Sequence, residues 1–289
     1  MRCSRARAAS RIASDGPLYL AGASIPALAL VSLVPTSLGF VKKSLAFGLG
    51  YSLSVALGGA FLAACAPQRL SRTAALQALG ATTHGLRLAH YIFTRDKGGG
   101  MPADYKARVA AMEGDTTPLG RLKRLPLVAS CAGMYALVMA PLVHSLRHPS
   151  GDDEPLSWLG VALQWTGLAL AAAADWQKHA HKRATPDRWC DSGLYRYCRH
   201  PNYSGELLFW SGAFVAGVSS YDGAAEWLSA SMGLAAITAT MLGATGRLER
   251  KEAARYAGVP GRARYVESTG ALTPRVKALR MPRLRKPPA

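Results

Sequence analysis

Long apolar runs separated by short polar stretches dominate the chain. The first extends from about Leu18 to Val41, interrupted by Pro26 and Pro35, and Lys42–Lys43 divides it from a Gly- and Ala-rich second run, about Ser44 to Ala66. Further runs cover about Thr73–Phe93, Leu125–Leu146, Leu156–Ala174, Pro201–Ser219 and Trp227–Gly246. Each comes close to the ~20 residues that a helix needs to cross a bilayer. The pattern predicts an all-α, polytopic helical membrane protein with about seven transmembrane helices. The small residues of the second run suit close helix–helix approach. The third run is the least apolar and places His84, Arg87 and Tyr91 at i, i+3 and i+7, one helical face. Polar groups stacked on a membrane helix either line a cavity or sit at the interface.

The stretches between the runs carry a strong charge bias. Lys and Arg number 35 against 17 Asp and Glu, a net charge of +18. No recognisable nucleic-acid module accompanies this excess, and cytosolic loops facing anionic headgroups account for it. The loops 94–124 and 175–200 and the C-terminus are basic, whereas 147–155 and 220–226 hold most of the intervening acids. Basic loops face the cytosol, so seven spans put the N-terminus on the far side. Residues 1–17 form a basic N-terminal tail or targeting segment, 18–274 one helical membrane domain, and 275–289 a basic, Pro-rich tail expected to be disordered. Gly98–Gly100 reads as a turn, since no strand–turn–helix context makes it a phosphate loop. Five scattered cysteines imply neither a disulfide framework nor zinc, and His179 and His181 lack further spaced ligands, so no metal is expected.

The candidate chemistry concentrates in Ser192–Glu206, Ser-Gly-Leu-Tyr-Arg-Tyr-Cys-Arg-His-Pro-Asn-Tyr-Ser-Gly-Glu. Pro201 suits the first turn of a helix, with Arg199 and His200 at its mouth, where free N–H groups favour an anion. Asn202 and Glu206 lie four apart on one face, about 6 Å along the axis. Together they could clamp a carboxamide. Glu206 could instead pair with Arg199 or Arg196 in the interfacial layer. Arg247, Lys251 and Arg255 recur every four residues on a helix continuing into the cytosol, which fits a phosphorylated ligand or lipid headgroups equally.

Gly193-Leu-Tyr-Arg-Tyr-x-Arg-His-Pro-Asn-Tyr-x-Gly-Glu206 resembles the signature of the steroid 5α-reductase superfamily, closest to its widespread branch of largely uncharacterised multi-pass membrane proteins. Ala174-Asp-Trp-Gln177, Leu248-Glu249, Tyr265 and Pro274 resemble that branch too, and the likeness covers roughly residues 75–275. Isoprenylcysteine and phospholipid methyltransferases share a similar Arg-His-Pro-x-Tyr-x-Gly core.

The resemblance implies an oxidoreductase acting on CH–CH groups, in which NADPH reduces a lipophilic, sterol-like or enone substrate entering from the lipid. Asn202 and Glu206, flanked by Tyr203, would orient the nicotinamide. Arg199, His200, Arg247, Lys251 and Arg255, with Asp175 and Lys182 nearby, would hold the phosphates and adenosine. Arg87 and Tyr91 match a cofactor-contacting pair, and Tyr91 or His84 would supply the proton. Steroid-reducing members carry a Glu in the second membrane helix, yet Phe40–Ala66 contains no acid, which argues against a 3-oxo-steroid. The alternative is an S-adenosylmethionine-dependent methyltransferase of a lipid or prenylated substrate. The expected partners are that small molecule and membrane lipids, with no nucleic acid. The expected location is the endoplasmic reticulum in a eukaryote, or an organelle membrane if the basic N-terminus is a targeting segment.

Overall fold

The computed structural model describes residues 23–65, 67, 70–97, 111 and 113–275. The N-terminal arginines, Gly98–Gly100 and the tail beyond Arg275 lie outside the described residues. Among the described residues the architecture is all-helical with no strand, and an isolated parallel bridge joins Cys198 to Gly270.

The helices follow the apolar runs. They are α1 (Ile25–Thr36), α2 (Leu38–Val41), α3 (Lys43–Leu45), α4 (Tyr51–Cys65, entered through a π-turn at Ala46–Gly50), α5 (Arg72–Lys97) and α6 (Pro118–Leu122). Then come α7 (Leu125–Val138), α8 (Ala140–Arg147), α9 (Pro155–Ala184), α10 (Pro201–Gly217), α11 (Ala224–Arg255) and α12 (Arg262–Ser268). Starts are set by local chemistry. Ser24 and Thr117 accept from Ala27 and Gly120 N–H groups, each with a proline opening the helix. Pro26 therefore begins α1 rather than interrupting it.

Three described helical segments, Lys43–Cys65, Pro155–Ala184 and Ala224–Arg255, are long and apolar enough to cross a membrane. The pair Pro118–Val138 and Ala140–Arg147 makes a fourth if its 50° bend lies within one span. Helices also stand at the other three predicted spans, as Ile25–Val41, Arg72–Lys97 and the 17-residue α10.

Two features differ from the sequence reading. The expected fourth span bends at Met139, because Pro141 cannot donate to the preceding turn. The loop expected from Asp175 is still helix: α9 runs 30 residues to Ala184, and the Gln, Lys and Ala after Trp176 are good helix formers despite their polarity.

The chain divides into two compact units, Met1–Trp165 with Trp210–Ala236, and Thr166–Phe209 with Ile237–Ala289. In the first, α4 packs on α5 and α1 on α7 and α4, around Leu28, Val55, Leu62, Val128 and Leu146. Glycines set the closeness of these contacts. A Cβ on Gly160 would lie 2.1 Å from the Ala216 nitrogen, and one on Gly85 2.3 Å from the Ser52 oxygen. The second unit uses the same device on α9 and α10, where Gly167 meets Phe209 and Gly205 meets Ala171, backbone to backbone.

The polar 113–124 segment is tied to the turn between α2 and α3 by a buried pair. Glu113 accepts from the Lys43 and Ser44 N–H groups at 2.7 and 3.3 Å, capping α3. Arg124 lies 3.2 Å from Glu113 and donates to the Gly39, Phe40 and Val41 carbonyls that end α2. Burial works against the charged carboxylate, but these N–H groups and the Arg124 charge together hold it below its ordinary range. Arg124→Met leaves the Glu113 charge without its cation. It should lower stability by roughly 3–5 kcal/mol, read as a reduced thermal midpoint of the detergent-purified protein. An unchanged midpoint would show that the pair is not a structural tie.

Candidate functional site

The Ser192–Glu206 motif lies in the second unit, and three residues set its turn. Gly193 has φ +59°, open to glycine, and a Cβ there would meet Gln177 Oε1 at 2.3 Å. That oxygen accepts from the Leu194 N–H at 2.8 Å, anchoring the Gly193–Arg196 turn to α9. Tyr265 of α12 donates its hydroxyl between the Tyr195 and Cys190 carbonyls, at 2.8 and 3.1 Å.

The chain then enters α10 at Pro201, as its missing N–H predicts. The mouth is closed. The Arg199 and His200 N–H groups, expected to face an anion, donate to the Gly270 and Ala271 carbonyls at 2.9 and 3.0 Å, and Ser204 donates to Leu272. Arg199, 8% exposed, grips both oxygens of Glu249 on α11 (Nη2–Oε2 2.7 Å) and donates Nη1 to the Val266 and Thr269 carbonyls. His200, 1% exposed, meets the same carboxylate through Nε2 at 2.6 Å and stacks on Tyr203. These two residues, read from the sequence as phosphate ligands, have their donors engaged inside the protein. Glu249 was visible in the sequence only as part of the resemblance; nothing local marked it as their partner.

Beyond the mouth, the helix carries the remaining candidates. Asn202 donates its amide N–H to Asp175 Oδ1 at 3.1 Å. This contact fixes which way the amide faces, and Asn202 Oδ1 is buried with no partner. Asp175 and Glu206 are each 6% exposed. Asp175, placed from the sequence near phosphates, thus lies beside the amide it orients.

The expected phosphate cations divide into two groups. Lys182 donates to the Pro186 and Arg188 carbonyls and to the Tyr256 hydroxyl, so it braces the 185–189 turn. Arg247, Lys251 and Arg255 do lie along one row of α11, which extends to Arg255 as expected. Arg247 is exposed and Lys251 half-buried, while Arg255 makes a surface pair with Asp187 at 3.3 Å. Below the row, Arg262 sits among Trp189, Tyr256 and Tyr265, 5.4–5.6 Å from each ring, and reaches Glu252 at 3.0 Å.

His84, Arg87 and Tyr91 belong to the first unit, on α5. His84 is fully buried with its ring edge-on to Trp210 at 6.2 Å, and Arg87 and Tyr91 are half-buried.

Burial, reinforced by the Lys178 charge, holds His200 below its ordinary value against the opposing pull of Glu249 and Glu252. The ring is therefore neutral in the folded protein and donates Nε2–H to Glu249. The unfolded chain takes up a proton near pH 6.5, and the folded one only at lower pH. His200's contribution to stability is complete above about pH 6.5 and is lost as pH falls below it. The thermal midpoint should fall on acidification, and less steeply in His200→Gln, which keeps a donor for Glu249. Parallel profiles for the two proteins would overturn this assignment.

No curated protein and no solved structure matches the chain. A family model does, over residues 46–269, which include the whole motif and its Glu249 and Thr269 partners. The chain belongs to the family described as "Protein of unknown function (DUF1295)".

Proposed function

We propose that the chain is a membrane-embedded reductase that uses NADPH to reduce a C=C bond, conjugated to a carbonyl, in a lipophilic sterol-like or enone substrate. The supporting observation is Asn202 Oδ1: a buried acceptor without a partner, its direction set by Asp175, one helical turn from the buried carboxylate Glu206. An unpaired buried acceptor is costly, and such atoms mark places where a ligand supplies the missing donor. A primary carboxamide carries two N–H donors on one nitrogen and fits two acceptors. The nicotinamide cofactor ends in that group, and when bound it supplies the hydride.

The protein's own residues then do the following. Asn202 and Glu206 hold the carboxamide and so fix which ring face is presented. Arg247, Lys251 and Arg255 offer cations for phosphates, and the surface pair of Arg255 with Asp187 is weak enough to be exchanged. Arg199 and His200 position this helix rather than touch the cofactor. Tyr91 or His84 is the proton donor that the resemblance supplies, and Phe40–Ala66 lacks the acid of steroid-reducing members, which argues against a 3-oxo-steroid as the substrate. The same reading takes the chain across the membrane seven times, with its basic loops in the cytosol.

Thermal stabilisation of the detergent-purified protein tests the cofactor, because a ligand that binds only the folded state raises its apparent stability. NADPH should stabilise more than NADH or S-adenosylmethionine at equal concentration. Stabilisation by S-adenosylmethionine without any by NADPH would replace the reductase with a methyltransferase, whose cofactor amine also seeks acceptors. Asn202→Ala and Glu206→Gln should each weaken NADPH binding by ~1.5–3 kcal/mol, roughly ten- to a hundredfold, in protein that still folds.

The orientation is tested separately. Single cysteines at the exposed positions Asp153 and Arg183, before and near the end of α9, should label from opposite sides of sealed vesicles. Labelling from the same side would refute the topology.

A further inference from the structure

A second feature lies in the first unit and is independent of the reductase reading. Gln77 of α5 and Gln164 of α9 are 1% and 2% exposed, large polar groups in an otherwise apolar core. Their amides have determined directions. Ser145 donates its hydroxyl to the Pro141 carbonyl at 3.0 Å, so at 3.3 Å from Gln77 Nε2 it acts as acceptor. Gln164 Nε2 faces the Gln77 main-chain carbonyl at 3.5 Å. Turning either amide over would set oxygen against a lone pair. Both side-chain oxygens are consequently left over, buried and without a partner.

The two glutamines line one cavity of about 10 Å³, together with Met139, Pro141 and Trp210. It lies where the chain turns through 50° between α7 and α8. The neighbouring donors are already engaged: Trp210 Nε1–H goes to the Tyr51 hydroxyl at 2.7 Å, and Ser145 to Pro141. A space of this size beside polar atoms holds one water, and a water brings two O–H donors to two orphaned acceptors. We infer that a single water molecule is bound here and donates one proton to each glutamine oxygen. It joins α5 to α9 and, through Ser145, both to α8 at the bend.

Pulsed X-ray radiolysis of the full-length protein in detergent, read by mass spectrometry, tests the site. Hydroxyl radicals formed from a bound water oxidise the side chains around it. Met139 and Trp210 are each 3% exposed and shielded from bulk radicals, while Tyr197, 38% exposed and outside the apolar runs, reports on bulk solvent. Met139 and Trp210 should be oxidised in the native protein. In Gln77→Leu/Gln164→Leu that labelling should be lost, with Tyr197 labelled as before. Gln77→Met and Gln164→Met, which keep the side-chain length, provide the same comparison if the double variant does not fold. No oxidation of Met139 or Trp210 in native protein with a labelled Tyr197, or equal oxidation in the folded variants, would overturn the inference.

Discussion

A single carboxylate, Glu249 on α11, holds the second unit to its working shape. It receives three hydrogen bonds from Arg199 and one from His200, the two residues that precede α10. A partly buried carboxylate facing one neutral ring and one permanent cation is balanced: net charge cancels, and each lone pair finds a donor. Removing either charge would strand the other in a poorly solvated place, which is the expensive way to disturb such a pair. Because Arg199 also holds Val266 and Thr269, the tie extends to the segment after α12, whose carbonyls at 270 and 271 cap the mouth. The start of α10 is thereby fixed, and the position of Asn202 one residue into the helix follows from it.

The sequence disclosed what was local. Pro201 announced a helix start, and the spacing of Asn202 and Glu206 put them on one face. Helices stand at the described parts of the predicted runs, and three or four of them are long and apolar enough to cross a membrane. What the sequence could not disclose was partnership over distance. Arg199 beside a helix N-terminus reads as an anion ligand unless Glu249, fifty positions later, is known to fold back on it. Composition misled at Asp175, since a polar stretch rich in Lys and His resembles a loop although its residues are good helix formers. The bend at Met139 escaped because an apolar run containing a proline looks like one continuous span until the neighbouring backbone is seen.

Small residues explain why a polar centre can sit between the helices of the second unit. Gly167 and Gly205 bring the α9 and α10 backbones together, and Asp175 and Asn202 lie a short way along the same two helices. Side chains as short as Asp and Asn can hydrogen-bond directly across only where backbones approach so closely. A β-carbon at Gly167 or Gly205 would meet backbone atoms at under 3 Å, push the helices apart and separate the polar partners.

The polarity of the α10 site constrains what can occupy it. With the Asn202 N–H engaged by Asp175, Asn202 offers its oxygen, one helical turn from the Glu206 carboxylate. A carboxylate or phosphate ligand would meet repulsion there. The cations and N–H groups at the helix mouth, which would otherwise receive an anion, are held by Glu249 and by the Gly270 and Ala271 carbonyls. On the proposed function the occupant would be a donor: a carboxamide or an amine. A sulfonium amino-acid cofactor has an amine but carries a carboxylate two bonds away, and that group would need a cation close by. A nicotinamide keeps its charges far from its carboxamide, near the exposed row on α11. This difference is the reason the proposal names a dinucleotide rather than the sulfonium cofactor.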